Sequence, residues 1–360
     1  MQFTKNDTNL IKGVAIIMMI FHHCFLGADR YAGYDISFLL LGEYYTVMLS
    51  SFCKICVSVF VFLSGYGITI SLSKINMSNS IEIKSQVTKR YFGMMSGFWF
   101  IYIISIVVTF FLGKSHLLVY KGKRVIDSVF FALCDFLGLA NLFGTPTLNG
   151  TWWYMSLAII IVAIMPIFYA VYKKYGSIVI FVLTFCACGI FGQKNTDMVR
   201  WLFTLALGMI CADKNLLVKW KQIKIIKNSK YIDLILRFII GTVLVIACVY
   251  VRQKIDWTVS YLRDGIIPMY IILYCYTFFA DIPVLKNVLV YLGKHSMNIF
   301  LTHTFIRYHF LQDFTYSFKY PALIVAVLLG LSLVVSICID FLKKYTGYNK
   351  LTGYVIKKLT

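Results

Sequence analysis

Two ionisable side chains near the amino terminus have the types and the spacing of a working pair. The run Asn9–Leu26, NLIKGVAIIMMIFHHCFL, is apolar apart from Asn9, Lys12 near its start, and His22 and His23 near its end. Lys12 and His23 are eleven positions apart. In a helix that separation is a rise of roughly 16 Å and close to three whole turns, so both side chains share one face. A cation at a membrane surface can hold an anionic group. An imidazole about half a hydrocarbon core deeper can exchange a proton with whatever reaches it. The adjacent His22 points about 100° away around the helix. For a lone histidine in a span, a neutral imidazole bonded to a backbone carbonyl in a packed core is as good a reading as a functional one. Lys12 on the same face tips the balance towards chemistry at His23.

Other side chains carry weaker signals. His303 lies in a late apolar run and is balanced between an acceptor-orienting or proton-relaying role and a satisfied core position. His295 and His309 fall at span edges, and His116 in a connection. Ser64-Gly65 reads as a small pair that lets helices approach, in preference to a nucleophile. Trp152, Trp153 and Tyr154 open an apolar run, where aromatic rings anchor at an interface and can also stack on a sugar. Arg237 is expected to snorkel to the nearer surface, and Arg263-Asp264 to form an ion pair or part of a polar mouth. The ten cysteines are scattered, mostly within apolar runs. The C-x-x-C of Cys53 and Cys56 lacks a second pair, so buried thiols are expected and no metal site.

The elements that must position these groups are apolar helices. Of 360 residues, 60% are hydrophobic and 14% charged, where soluble domains carry about 25% charged residues. The net charge of +20 comes from Lys and Arg spread over the connections. That is a topological signal of a membrane protein, and it excludes a nucleic-acid surface. The expected fold is all-α: a polytopic integral membrane protein, one domain over residues 1–360, with about ten transmembrane helices. The candidate spans are Leu10–Leu26, Ile55–Leu72, Tyr91–Leu112, Thr151–Pro166, Ser177–Phe191, Val199–Cys211, Ile232–Val251, Gly265–Ala280, Val288–Phe310 and Pro321–Leu342. Ile36–Ser51 suits a helix at the interface, and Val125–Phe143 is too apolar for a free loop and suits a re-entrant or interfacial piece. Lys74–Arg90, Lys214–Lys230 and the basic tail put the larger Lys and Arg count on the amino-terminal side, which places both termini in the cytoplasm of a multi-pass cell-membrane protein. The cluster Lys114–Arg124 blurs that count. Leu26-Gly27-Ala28 faintly resembles a cleavage site, but the first span is expected to be retained.

The stretch KGVAIIMMIFHH resembles the first-span signature of the acyltransferase 3 family of membrane proteins, in which a basic residue precedes a histidine by ten intervening residues. Lys12 and His23 match that spacing, with Lys where the family usually has Arg. Three further stretches agree in type and order. VSVFVFLSGYG at Val57–Gly67 resembles an apolar run ending in Ser-Gly-aromatic. GTWWYMSLAIIIVAIMP at Gly150–Pro166 resembles a Trp-rich fourth-span opening, and LGKHSMNIFLTH at Leu292–His303 a late-span pattern ending in His. There are departures. The family often carries an Arg-x-x-Arg pair with a nearby Pro after the second span; Arg90 matches the first Arg, and Gly93 stands at the second place. Some members have a Glu-Glu pair in the fourth span, whereas Ser156–Ile160 holds no acid. The chain resembles the short form, without an appended soluble esterase-like domain.

The resemblance implies an O-acyltransferase acting on surface glycans. Its donor would be acetyl-CoA, a co-substrate whose phosphates need cations, for which Lys12, Lys89 and Arg90 are the candidates. His23 would be the general base on the acceptor hydroxyl, or would accept the acyl group itself. His303 would orient the acceptor or relay a proton, and Trp152 and Trp153 would bind it. The acceptor would be a polysaccharide or its lipid-linked precursor. The rival from another class is a transporter or flippase that moves the glycan without catalysis. Such a protein often shows internal repeats or paired broken helices, and the sequence shows neither. A third reading keeps acyl transfer with another acyl group, such as succinyl, or another acceptor.

Overall fold

The computed structural model describes residues 3–112, 117–191, 198–254 and 260–360; His116 and Lys114 lie outside them. All regular structure among the described residues is helical. Among the described residues, six helical stretches are long and apolar enough to cross a membrane: Lys5–Phe25, Gly42–Leu72, Ser80–Phe111, Gly150–Phe191, Lys230–Lys254 and Pro321–Tyr345.

The first helix begins where its sequence says it should. The Thr4 hydroxyl accepts from the Asp7 amide at 3.2 Å, and the Asp7 carboxylate accepts from the Thr4 amide at 2.8 Å, a reciprocal cap that satisfies two orphan donors. The expected fourth and fifth spans fall on the run Trp153–Phe191, which is two helices meeting at Gly176, whose non-helical φ of 83° suits glycine. The expected ninth span, Val288–Phe310, is not continuous. It is divided into Pro283–Lys294, Ser296–Thr304 and a π-helical turn at Phe305–Phe310, with His295 at the first break. The polar connection before the third span is already helical from Ser80, where Asn79 accepts from the Ile81 amide at 3.0 Å. The basic tail also ends in a helix, Tyr348–Leu359.

The chain forms two compact units of interleaved segments. The first comprises Met1–Ile70, Phe168–Ser296 and Phe318–Val325. Its helices meet through glycines. A side chain at Gly13 would strike the Leu289 carbonyl, and one at Gly293 would strike the Asn9 carbonyl. Lys5–Phe25 and Pro283–Lys294 therefore run antiparallel with their backbones in contact, as small residues one turn apart permit. The same device joins Cys56–Leu72 to Leu202–Asp213, where Gly65 faces the Leu205 carbonyl and Gly208 the Phe62 carbonyl. The packing reading of Ser64-Gly65 fits this contact, and the Ser64 hydroxyl bonds back to the Phe60 carbonyl at 2.8 Å.

The second unit comprises Ser71–Ile167, Met297–Ser317 and Ala326–Thr360. Its core is aromatic: Phe98, Phe100, Tyr102, Tyr120, Trp152 and Phe305 are buried together. The apolar connection Val125–Phe143 folds as the helices Val125–Phe136 and Ala140–Phe143. Asp135 locks it down, accepting from Tyr120 at 2.5 Å, Thr147 at 2.8 Å and the Leu148 amide at 2.6 Å. Tyr348 ties the terminal helix to Ser80–Phe111 by donating to the Ser96 carbonyl at 2.8 Å.

Candidate functional site

In the first unit, Lys12 and His23 lie on one unbroken helix, Lys5–Phe25. The residues between them on that face, Ile16 and Met19, are 0% and 3% exposed, whereas Lys12 and His23 are each half-buried. The stripe is thus closed in its middle and reaches accessible space at its two ends.

The two adjacent histidines differ in their surroundings. His22 is buried, and its Nδ1 lies 2.8 Å from the Ser50 carbonyl oxygen. A carbonyl only accepts, so Nδ1 carries the proton and fixes the tautomer. Ser50 reciprocates, donating from its hydroxyl to the His22 carbonyl at 3.1 Å. The satisfied-core description therefore fits His22, which staples the first helix to Gly42–Cys53. The His23 ring stands edge-on to it, with centroids 5.3 Å apart.

A buried charge cluster continues from this staple. Arg252 donates to the Ser51 carbonyl at 2.6 Å, next along the backbone from the carbonyl that His22 holds. Its Nε lies 3.2 Å from Asp264, which also faces Arg200 and Arg263 at 3.6 Å each. Arg263 in turn donates to the Arg252 carbonyl at 2.7 Å. Arg263-Asp264 is an ion pair, and a larger one than its neighbours in sequence suggested. Arg200 and Arg252 escaped sequence reasoning. Their signal was the presence of arginine inside or beside apolar runs, where a carboxylate partner is needed. Arg237 caps the other end of its helix, facing Asp233 at 3.6 Å and donating to the Lys221 carbonyl at 2.9 Å.

The other candidates belong to the second unit. Arg90 is half-buried and donates to the Ser71 hydroxyl at 2.6 Å, while Lys89 is exposed. Gly93 is exposed, and a side chain there would meet no atom within 4 Å. Trp152 is 2% exposed. Its indole N–H donates to the Leu301 carbonyl at 3.1 Å, and its ring packs edge-on to Phe98 at 5.0 Å. Trp153 is half-buried. His303 is fully enclosed, its Nδ1 between the Phe300 and Ile299 carbonyls at 2.8 and 3.1 Å, with Thr304 3.2 Å from Nε2. Among the described residues no group of three or more His, Cys, Asp or Glu has the geometry to hold a metal ion.

Comparison with known proteins places this architecture. A family model described as an acyltransferase domain, that of the acyltransferase 3 family, matches residues 6–341. That span contains the Lys12–His23 helix, Arg90, both tryptophans and His303. No curated protein and no solved structure matches the chain. The chain belongs to the acyltransferase 3 family, as a helical membrane acyltransferase.

Proposed function

We propose that this protein is a single acyltransferase domain that moves acetyl from acetyl-CoA to a hydroxyl of a cell-surface polysaccharide or its lipid-linked precursor. The observation that carries the reading is the Lys5–Phe25 helix, which holds Lys12 and His23 on one face without a break. His23 takes the proton of the acceptor hydroxyl as the oxygen attacks the thioester carbonyl carbon. The C–S bond then breaks, and the CoA sulfur leaves and is protonated. Lys12 offers a charge-assisted contact to donor phosphate, and in the second unit Lys89 and Arg90 offer the same chemistry. Trp153 offers a half-buried ring for an acceptor sugar, whereas Trp152, clamped to Leu301, is enclosed in the core. His303, held by two carbonyls, orients its surroundings. Both termini lie in the cytoplasm, following the Lys and Arg distribution.

Proton NMR of the surface glycan tests this in three samples: cells with the gene, cells without it, and cells carrying His23→Ala. The O-acetyl methyl signal is expected to disappear in the last two, with the variant still in the membrane. Retention of the signal with His23→Ala removes the role given to that residue. Loss of the glycan itself, or its accumulation inside the cell unmodified, favours the transporter. A different acyl resonance redirects the donor to another acyl-CoA, such as succinyl-CoA.

A further inference from the structure

Arg307 stands on the turn after His303 and is 2% exposed. Its Nε–H is sealed and meets no acceptor, and among the described residues no carboxylate pairs with the guanidinium. The guanidinium lies over the Tyr308 ring, whose centroid is 5.8 Å away. A weak contact with a ring does not offset the burial of a full charge, which is tolerated only when paired and hydrogen-bonded. Arg252, also buried, meets that requirement through Asp264 and the Ser51 carbonyl. The backbone under Arg307 is also unusual. Phe305–Phe310 is a π-helical turn, closed by the Leu311 amide on the Ile306 carbonyl at 2.8 Å. Such turns are costly and recur at functional sites, because they re-aim one side chain against the α-helical register.

We infer that Arg307 is the anchor of an oxyanion-binding site in the second unit, filled by a phosphate or carboxylate group of a small ligand. The guanidinium fork matches both groups and takes them with two parallel hydrogen bonds. The site is independent of the acyl-transfer reading, since occupancy needs no turnover.

Binding to the purified full chain in lipid nanodiscs tests the site. The readouts are the unfolding midpoint and the dissociation constant for inorganic phosphate, CoA, 3'-dephospho-CoA and glucuronate. Wild-type protein is expected to gain midpoint with phosphate by mass action. Arg307→Met is expected to lose that gain and to weaken at least one organic probe tenfold or more. Without any anion its midpoint should hold or rise, because an uncompensated buried charge has been removed. Arg307→Lys, which keeps the charge and loses the fork, should fall between. Selective loss of CoA assigns the site to a phosphate-bearing donor, and selective loss of glucuronate to an acidic acceptor. The inference fails if wild type binds none of the probes, or if Arg307→Met melts lower without anion and leaves every affinity within twofold. If Arg307→Met does not fold, unchanged affinities in Arg307→Lys overturn the inference equally.

Discussion

The contact between Lys5–Phe25 and Pro283–Lys294 makes a sharp prediction for Gly293→Ala. A Cβ at Gly293 falls on the Asn9 carbonyl oxygen, 2.6 Å from the carbonyl carbon and 2.9 Å from the Cα. Ordinary contact begins near 3.4 Å. The obstacle is backbone, so no rotamer change relieves it, and the two helices must part by roughly 1 Å. Overpacking of this kind costs about 1–3 kcal/mol, and alanine returns at most about 1 kcal/mol of helix propensity over glycine. With that return in full, the net expectation is a loss of roughly 0–2 kcal/mol. The effect on rate should be larger in proportion. The displaced helix carries Lys12 and His23, and a misplacement of about 1 Å costs on the order of a hundredfold in a positioned reaction. The control is Gly330→Ala in Pro321–Tyr345, where an added side chain meets nothing within 4 Å. Both variants would be purified in nanodiscs and compared by unfolding midpoint and by initial rate of acyl transfer. Wild-type midpoint and rate in Gly293→Ala would show that the helices are not held at backbone contact, and the positioning argument would fall with that result.

Three further outcomes are expected. Asp264→Asn removes the carboxylate shared by Arg200, Arg252 and Arg263; breaking a buried pair of this kind costs about 3–5 kcal/mol, so a midpoint equal to wild type would contradict the cluster's role. Gly93→Arg fits open space three residues after Arg90, and a second guanidinium there should lower KM for the acyl-CoA donor several-fold with kcat little changed; an unchanged KM counts against donor binding at this turn. Trp152→Phe deletes the bond to the Leu301 carbonyl and should cost about 1 kcal/mol of stability while leaving the acceptor KM alone. A raised acceptor KM at constant midpoint would move the Trp152 ring into the acceptor site.

The shared face of Lys12 and His23 was legible because helical periodicity is a local property. Eleven residues return a helix to the same face whatever surrounds it, so Lys12 and His23 share a stripe once Thr4 and Asp7 have started the helix. Hydrophobic runs likewise announced helices, and Gly65 announced close packing, since only a missing Cβ lets two backbones touch. Periodicity did not reveal interruptions. The break at His295 and the π turn at Phe305–Phe310 divide what read as one span, whereas the division at Gly176 falls where the spans were expected to part. A backbone break depends on the packing and hydrogen bonds around it, and apolar composition carries no trace of those.

The sequence by itself determined the all-helical membrane class, the spacing of the Lys12–His23 pair and the motifs that mark the family. Tertiary structure decided what each polar side chain touches. It gave His22 the Ser50 carbonyl, and it gathered Arg200 and Arg252, which are 52 positions apart, around Asp264. It also enclosed Trp152 and left Arg307 buried without a carboxylate among the described residues. The division has one physical cause. Which face a residue occupies follows from the helix's own geometry, whereas the partner of a buried charge or ring is set by whichever distant segment packs against it.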